Sequence, residues 1–405
     1  MSFSIGSFDR AIDTRHDASE SVVLRYRDAL SFGGSQSEDG RFRELLACTS
    51  IAEGVQIFPL LEYRGVAIDI LDESSRMYTG TLKSIDGCVT TARCLLEGLE
   101  RIVFESGGNT GAALAAYTGR AGIESFCVFP AENISLIDSR FFAKGRAHLI
   151  AIEKPEMVRE ATQCVERVCG VVRVPKVDWR IAASEFVGCF ILEQLIAGRE
   201  YSHLVQSISA AFGPVGIYRV LERNRSRFGK LPSFVGVQQA SNAAMVQAWK
   251  AGSSEIRTAE VRSTGDLLSR VMYDSTPQRY GTFEPLRNLL AQSGGHLATV
   301  DHAEFARYLS NHPDRGNPLD MFRRNGVEIA ERDGGVVEKT GLMALAGTLK
   351  QIDAGEIPRG SRVLCCLTGG TNRPDGLAVP ELFIKDLPSM AEELRNRWFR
   401  GDAVV

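Results

Sequence analysis

Two short stretches hold residue types at a spacing that could do chemistry. The first is Phe104-Glu105-Ser106-Gly107-Gly108-Asn109-Thr110-Gly111, continued by Ala112-Ala113-Leu114-Ala115-Ala116-Tyr117. The preceding run Ile102-Val103-Phe104 is short and β-branched enough for a buried strand. The glycines make a turn. The alanines that follow are the best helix formers, and Gly122 is placed to stop the helix. A strand–glycine turn–helix gathers backbone N–H groups and the positive end of the helix dipole at one point, where an anion or a polar ring substituent can sit. Asn109 stands at that point. A glycine turn of this kind also serves packing alone in many α/β chains. The second stretch lies upstream: Tyr78-Thr79-Gly80-Thr81-Leu82-Lys83-Ser84. Taken alone, a lysine such as Lys83 is most often a solvated side chain.

In this order and spacing, Thr79-Gly80-Thr81-Leu82-Lys83 and Ser106-Gly107-Gly108-Asn109-Thr110 resemble the motif pair of fold-type II pyridoxal-phosphate (PLP) enzymes, the tryptophan synthase beta superfamily. Within it they resemble threonine synthases in particular. The resemblance implies that Lys83 is the Schiff-base lysine and the catalytic base, and that Asn109 hydrogen-bonds the phenolic oxygen of PLP. It implies a phosphate-cradling loop at Ser209-Ala210-Ala211-Phe212-Gly213-Pro214-Val215-Gly216, with Ser209, Gly213, Val215 and Gly216 as ligands. This loop is poorer in glycine than the family's, and Pro214 has no N–H to offer. The apolar run 362–367 leads into Thr368-Gly369-Gly370-Thr371-Asn372, similar to the family turn whose threonine faces the pyridine nitrogen, a role that falls to Thr368. A neutral hydroxyl there makes the ring a weaker electron sink than an aspartate partner would, which favours elimination and replacement. Substrate contacts carry over to Thr81, Ser106, Gly107, Thr110 and Arg180. Asp72-Glu73, Val235-Gly236-Val237-Gln238 and the segment Val22-Val23-Leu24-Arg25-Tyr26-Arg27 also match the family. Glu338 stands where the family has Glu-Pro, with Lys339 in place of the proline; a first-turn acid on a helix is its alternative role. The match runs from Leu24 to Asp375.

The substrate motifs depart from that pattern. Threonine synthases follow the lysine with Asp-Arg-Gly; here Ser84-Ile85-Asp86-Gly87 follows. Of their Asn-Pro-x-Arg and Gly-Gln-Lys-Thr segments only Arg180 survives in 177–185, and Glu185 stands near the family lysine. A carboxylate there would repel a phosphate dianion, so homoserine phosphate is not the expected substrate. The reading is a PLP-dependent lyase or synthase performing β- or γ-elimination or replacement on an amino acid. Alternatives are a β-replacement synthase of cysteate-synthase type, a divergent threonine synthase, and a non-catalytic homologue that binds a ligand. An unrelated nucleotide-binding protein would want Gly-x-Gly-x-x-Gly after its first strand, and none is present.

The elements that must position these residues read as βα units. Strands are expected at 65–71, 102–104, 125–129, 148–152, 171–174, 203–208, 234–238 and 362–367. Helices are expected at 85–99, 134–144, 155–168, 179–197, 218–223, 243–251 and 336–352, and 33–40 reads as an exposed loop. Such alternation means parallel sheets. The fold class is α/β, and by the resemblance two doubly wound α/β domains with the cofactor in the cleft between them. The expected division is 1–84 as N-terminal segment and start of the large domain, 85–178 as a small inserted domain, and 179–405 as the large PLP-binding domain. The 405 residues suffice for two cores. A hydrophobic content of 44%, a charged content of 24% and a net charge of −3 give no electrostatic case for nucleic acid or an anionic membrane. No apolar run is long enough to span a bilayer, and residues 1–21 lack the apolar core of a signal peptide. Nine cysteines without a Cys-x-x-Cys pair imply reduced thiols, a cytoplasmic location and no metal site. The expected partners are a small-molecule amino acid substrate and a second copy in a homodimer.

Overall fold

The computed structural model describes residues 8–398 apart from 31–34, 143–144, 258–263, 275, 333–334, 372–375 and 377. Expectations that touch Gly33-Gly34, Lys144, Asn372 or Asp375 therefore lie outside the described residues. Two sheets organise the rest. The larger has six strands in the spatial order Gln56–Tyr63, Val66–Asp72, Arg362–Leu367, His203–Ser207, Ser233–Gln239 and His296–Val300. Its first pair is antiparallel and the others are parallel. The smaller sheet is parallel throughout, in the order Leu382–Ile384, Ala147–Ile152, Glu124–Pro130, Arg101–Glu105 and Val172–Arg173.

Parallel strands are covered on both faces and so read as continuous apolar runs. Val363-Leu364-Cys365-Cys366-Leu367 is such a run. Val363, Cys365 and Leu367 pack with the helix Thr340–Asp353, while Leu364 and Cys366 pack into a second core with the helices Lys83–Leu96, Val177–Ile196 and Phe212–Arg223. Alternate residues of the smaller sheet, among them Phe104 and Phe129, join that second core. The cleft is thus founded on one continuous apolar mass that both sheets share. The opposite face of the smaller sheet, with Val103, Phe126, Val128 and Ile150, is covered by the helices Val158–Cys169 and Leu387–Trp398.

The structure departs from expectation at identifiable places. The strand Leu382–Ile384 pairs with Ala147–Ile152 and the helix after it covers the smaller sheet, so the chain beyond about 380 does not belong to the larger unit as expected. The helix expected at 134–144 is replaced by short 3-10 turns, Ala131–Leu136 and Ser139–Phe141, because the Asp138 carboxylate accepts from Arg140 N and holds a turn. Most of the loop expected at 33–40 is helix: Gln36–Thr49 starts at Ser35, whose hydroxyl and Glu38 form a reciprocal capping box. The Ser-x-x-Glu pattern is the local signal for that start. Among the described residues no helix is long and apolar enough to cross a membrane.

Candidate active site

A cavity of about 330 Å³ opens between the two sheets. Strand C-termini and helix N-termini from both sides converge on it, as parallel α/β architecture dictates. Lys83 is the first residue of the helix Lys83–Leu96. Its side chain is 22% exposed and its ammonium lies 3.2 Å from Asp86 Oδ2, one turn along the same helix. Asp86, itself 3% exposed, also faces Arg180 Nη2 at 3.4 Å. Burial depresses the Lys83 pKa, the Asp86 carboxylate pulls it back up, and the Arg180 guanidinium lowers it again. The amine is therefore readier than an ordinary lysine to act as base or nucleophile.

Across the cavity, Arg101–Glu105 runs into the turn before the helix Asn109–Arg120. The Ser106 hydroxyl accepts from Gly108 N at 3.1 Å and from Gly111 N at 2.9 Å, so it shapes the turn. Gly107 O accepts from Asn133 Nδ2 at 2.7 Å. The buried carboxylate of Glu338 accepts from Thr340 N at 2.6 Å; burial raises its pKa, and Thr340 and the neighbouring Asn109 lower it. Thr110 Oγ1 accepts from Arg180 Nη2 at 2.9 Å, and the Arg180 guanidinium stacks 4.2 Å from the Phe212 ring centre, with Nε left unpartnered. The Thr368 hydroxyl is buried at the cavity wall without a hydrogen-bond partner.

The third wall is the segment between the strand His203–Ser207 and the helix Phe212–Arg223. The helix begins at Phe212, earlier than expected, after Ala211 in the left-handed conformation. Pro214 thus falls in the first turn, where a missing N–H costs no helical bond, and Ala211, Phe212 and Gly213 line the cavity with the N-terminal end of the helix. A Cβ on Gly213 would sit 2.8 Å from the Gln206 amide, which would have to shift to admit it. Ser209 lines the cavity while its hydroxyl donates to Met272 O at 3.0 Å.

The structure brings Lys83, Asn109, Ser106, Gly107, Thr110, Arg180, Ser209, Gly213 and Thr368 to one cavity. Three expected residues are not on its lining. Val215 and Gly216 lie inside the helix Phe212–Arg223, where Gly216 lets that helix approach Ile181 and Ser184 closely. Thr81 is buried, and its hydroxyl accepts from Lys83 N at 3.3 Å, bracing the turn. Glu185 is likewise off the lining: its carboxylate faces Arg219 at 3.9 Å and Arg223 at 3.6 Å, so the repulsion argued from it does not act in the cavity.

Residues missed by sequence reasoning complete the site. Residues from 267–274 and 276–280 line the cavity, and Arg279 reaches Glu105 Oε1 at 3.2 Å, where Arg173 also pairs at 2.5 Å. Irregular backbone held by single side chains, such as Ser269 N on Gln239 Oε1 at 2.9 Å, leaves no periodic signal. Asp86 could have been found, since it stands three positions after Lys83 on the same helix. Among the described residues no cluster suited to a metal ion exists. The unpartnered Thr368 hydroxyl, the reactive amine of Lys83 and the helix start at 211–213 together fit a flat aromatic aldehyde bearing a phosphate.

Comparison with known proteins agrees. Residues 53–306 match the family model described as pyridoxal-phosphate dependent enzyme. The chain is 24% identical over 389 residues to threonine synthase of Mycobacterium leprae, covering 93% of this chain and 94% of that protein. It is 23% identical over 303 residues to cysteate synthase of Methanocorpusculum labreanum, covering 72% and 69%. The processed form of threonine deaminase isoform 2 from Solanum lycopersicum superposes with a TM-score of 0.59 at 16% identity, over 90% of each chain, which supports the fold. With the matched region holding Lys83, Asn109 and the 209–213 turn, the chain belongs to the pyridoxal-phosphate dependent enzyme family, and its cofactor is PLP.

Proposed function

We propose that this protein is a lyase or synthase of threonine synthase-like type, acting by β- or γ-elimination or replacement on an amino acid, and that homoserine phosphate is not its substrate. The observation that carries this reading is the meeting, in one cavity, of the partly buried Lys83 amine with a Thr368 hydroxyl that has no hydrogen-bond partner among the described residues. PLP, when bound, supplies the electron sink for bonds broken at the substrate Cα. Lys83 removes the proton at Cα and returns it, which its depressed pKa permits. Thr368 would offer the ring nitrogen a neutral hydrogen-bond partner, Asn109 would hold the phenolic oxygen, and the turn 209–213 would receive the phosphate. Arg180, fixed by Asp86, Thr110 and Phe212, orients a substrate carboxylate through its remaining N–H groups.

Charge supports the exclusion of a phosphorylated substrate better than Glu185 does. Three of the cavity's cations, Lys83, Arg180 and Arg279, already face carboxylates, with Asp86 serving the first two and Glu105 and Asp274 the third. A dianion held by these three cations would have to compete with those acids. A β-replacement of cysteate-synthase type is the second reading, favoured by the likeness to that relative. A homodimer in the cytoplasm belongs to the same reading; light scattering tests the first.

The test of the whole is direct. Purified protein should carry a yellow cofactor that borohydride fixes to Lys83, and candidate amino acids should alter its spectrum. A protein that takes up no PLP at Lys83 refutes the reading. Release of phosphate from homoserine phosphate with kcat/KM above about 10⁴ M⁻¹s⁻¹ would make it a divergent threonine synthase instead.

A further inference from the structure

Beside the large cavity, and sharing Leu82, Gln206 and Gly213 with it, lies a second and much smaller one of about 10 Å³. Leu82, Ile85 and Asp86 line it from the lysine's helix, Ala183, Ser184 and Val187 from the helix Val177–Ile196, Gln206 from its strand, and Gly213 and Ile217 from the helix beyond the 209–213 turn. The remaining wall is Glu73, at the end of the strand Val66–Asp72. Its carboxyl is 2% exposed, with Oε2 left without a hydrogen-bond partner. Gln206 Oε1 is also unpartnered. A space of this size holds one water molecule, and such a water needs two to four polar partners. Glu73, Gln206 and Asp86 provide them.

We infer that Glu73 is a buried proton store for Lys83, communicating with it through the small cavity and the Asp86 carboxylate. This rests on the reading of Lys83 as a base. The step balances simply: the O–H bond of the Glu73 carboxyl breaks, an N–H bond forms on Lys83, and a carboxylate and an ammonium result. The reverse step recharges the store. An amine that has delivered its proton to substrate can thus be reprotonated from the Glu73 side. Glu73 touches no reacting atom and acts through Lys83, so it is a positioning residue in the proton path.

The charged and titratable groups around Glu73 suit this role. Burial raises its pKa to about 8, the Lys83 ammonium pulls it down, the Cys366 thiol hydrogen-bonds it, and the Asp72 carboxylate raises it. Asp72 is otherwise engaged, accepting from Ser74 N at 3.0 Å, Ser75 N at 2.9 Å and Gln56 Nε2 at 3.0 Å. Arg180 faces Asp86 on the far side. A carboxyl that is un-ionised at neutral pH beside a lysine of depressed pKa is a matched donor and acceptor.

The experiment is infrared difference spectroscopy of the full-length protein as purified, titrated between pH 5 and 10. The carbonyl stretch of an un-ionised carboxylic acid should be present at pH 7 and vanish with a midpoint near pH 8. Glu73→Gln should remove that band, and Glu73→Asp should keep it. Lys83→Met and Lys83→Gln should each raise the midpoint by about 1 pH unit or more, because an adjacent positive charge is lost. Because a bystander carboxyl would sense the Lys83 charge equally, a second readout is needed: Glu73→Gln should slow solvent-deuterium exchange of the substrate Cα proton at least several-fold at pH 7, and an unchanged exchange rate overturns the inference. The inference is overturned if the band is absent in the wild type, survives in Glu73→Gln, or keeps its midpoint in both lysine variants. Borohydride labelling is read separately: no cofactor fixed at Lys83, with the infrared coupling intact, refutes the proposed function and leaves the Glu73–Lys83 coupling standing.

Discussion

Burial of the Glu73 carboxyl makes the stability of the fold depend on pH. An ordinary glutamate titrates at 4.5, and in the folded chain burial moves this one to about 8. Between those values the native protein holds a proton that the unfolded chain has released. Its favourable contribution is therefore complete below pH 4.5 and is lost as pH rises through about 8. The window spans about 3.5 pH units at about 1.4 kcal/mol each, or about 5 kcal/mol as an upper bound. Glu73→Gln binds no proton in either state and lacks this slope. Urea denaturation at pH 5 and pH 8.5 should show the wild type losing about 4 kcal/mol more than the variant between the two. Other titrating groups are common to both proteins and cancel in the difference. Curves for the two proteins that run parallel across this range, within about 0.5 kcal/mol, would refute both the burial argument and the protonated state of Glu73.

Three further outcomes are expected. Asp86→Asn leaves Lys83 and Arg180 facing each other without their shared counter-charge and should cost about 3 kcal/mol in urea denaturation; an unchanged midpoint would show that the triad is not formed. Thr368→Ala should retain the borohydride-fixable cofactor but lose about 1–2 kcal/mol in kcat/KM on whichever amino acid proves to be the substrate; full activity would remove Thr368 from the ring nitrogen. Gly111→Ala places a Cβ against the Phe129 ring and the Ser106 side chain and should cost about 1–3 kcal/mol in thermal or urea denaturation, whereas a neutral result would mean that the turn has room to give.

What the sequence reveals and conceals follows from how each contact is made. Lys83, Asn109 and Thr368 each stand at a strand–turn–helix junction, and such junctions are written locally in glycines and apolar runs. The same holds for Arg362–Leu367, whose five buried residues cannot be anything but a central strand. Val215 and Gly216 read as loop because a proline precedes them, yet that proline sits in the first helical turn. Glu185 lies near the site by sequence spacing, while helix rotation turns its carboxylate toward Arg219 and Arg223. Glu73 shows only as part of an Asp-Glu pair: its partners Lys83 and Cys366 are distant in sequence, and nothing local marks a carboxyl that will lose its water. The Arg279–Glu105 contact joins two irregular ends and has no period to detect.

The strand Leu382–Ile384 completes the smaller sheet with chain that comes long after its neighbour Ala147–Ile152. During synthesis the outer edge of that neighbour must wait, with its backbone N–H and C=O groups unsatisfied, until the last strand has left the ribosome. An open parallel edge is an invitation to pair with another molecule. Any truncation before residue 382 should therefore yield a chain that holds Lys83, Asn109 and Thr368 in its sequence and yet accumulates as aggregate, with its sheet edge permanently exposed.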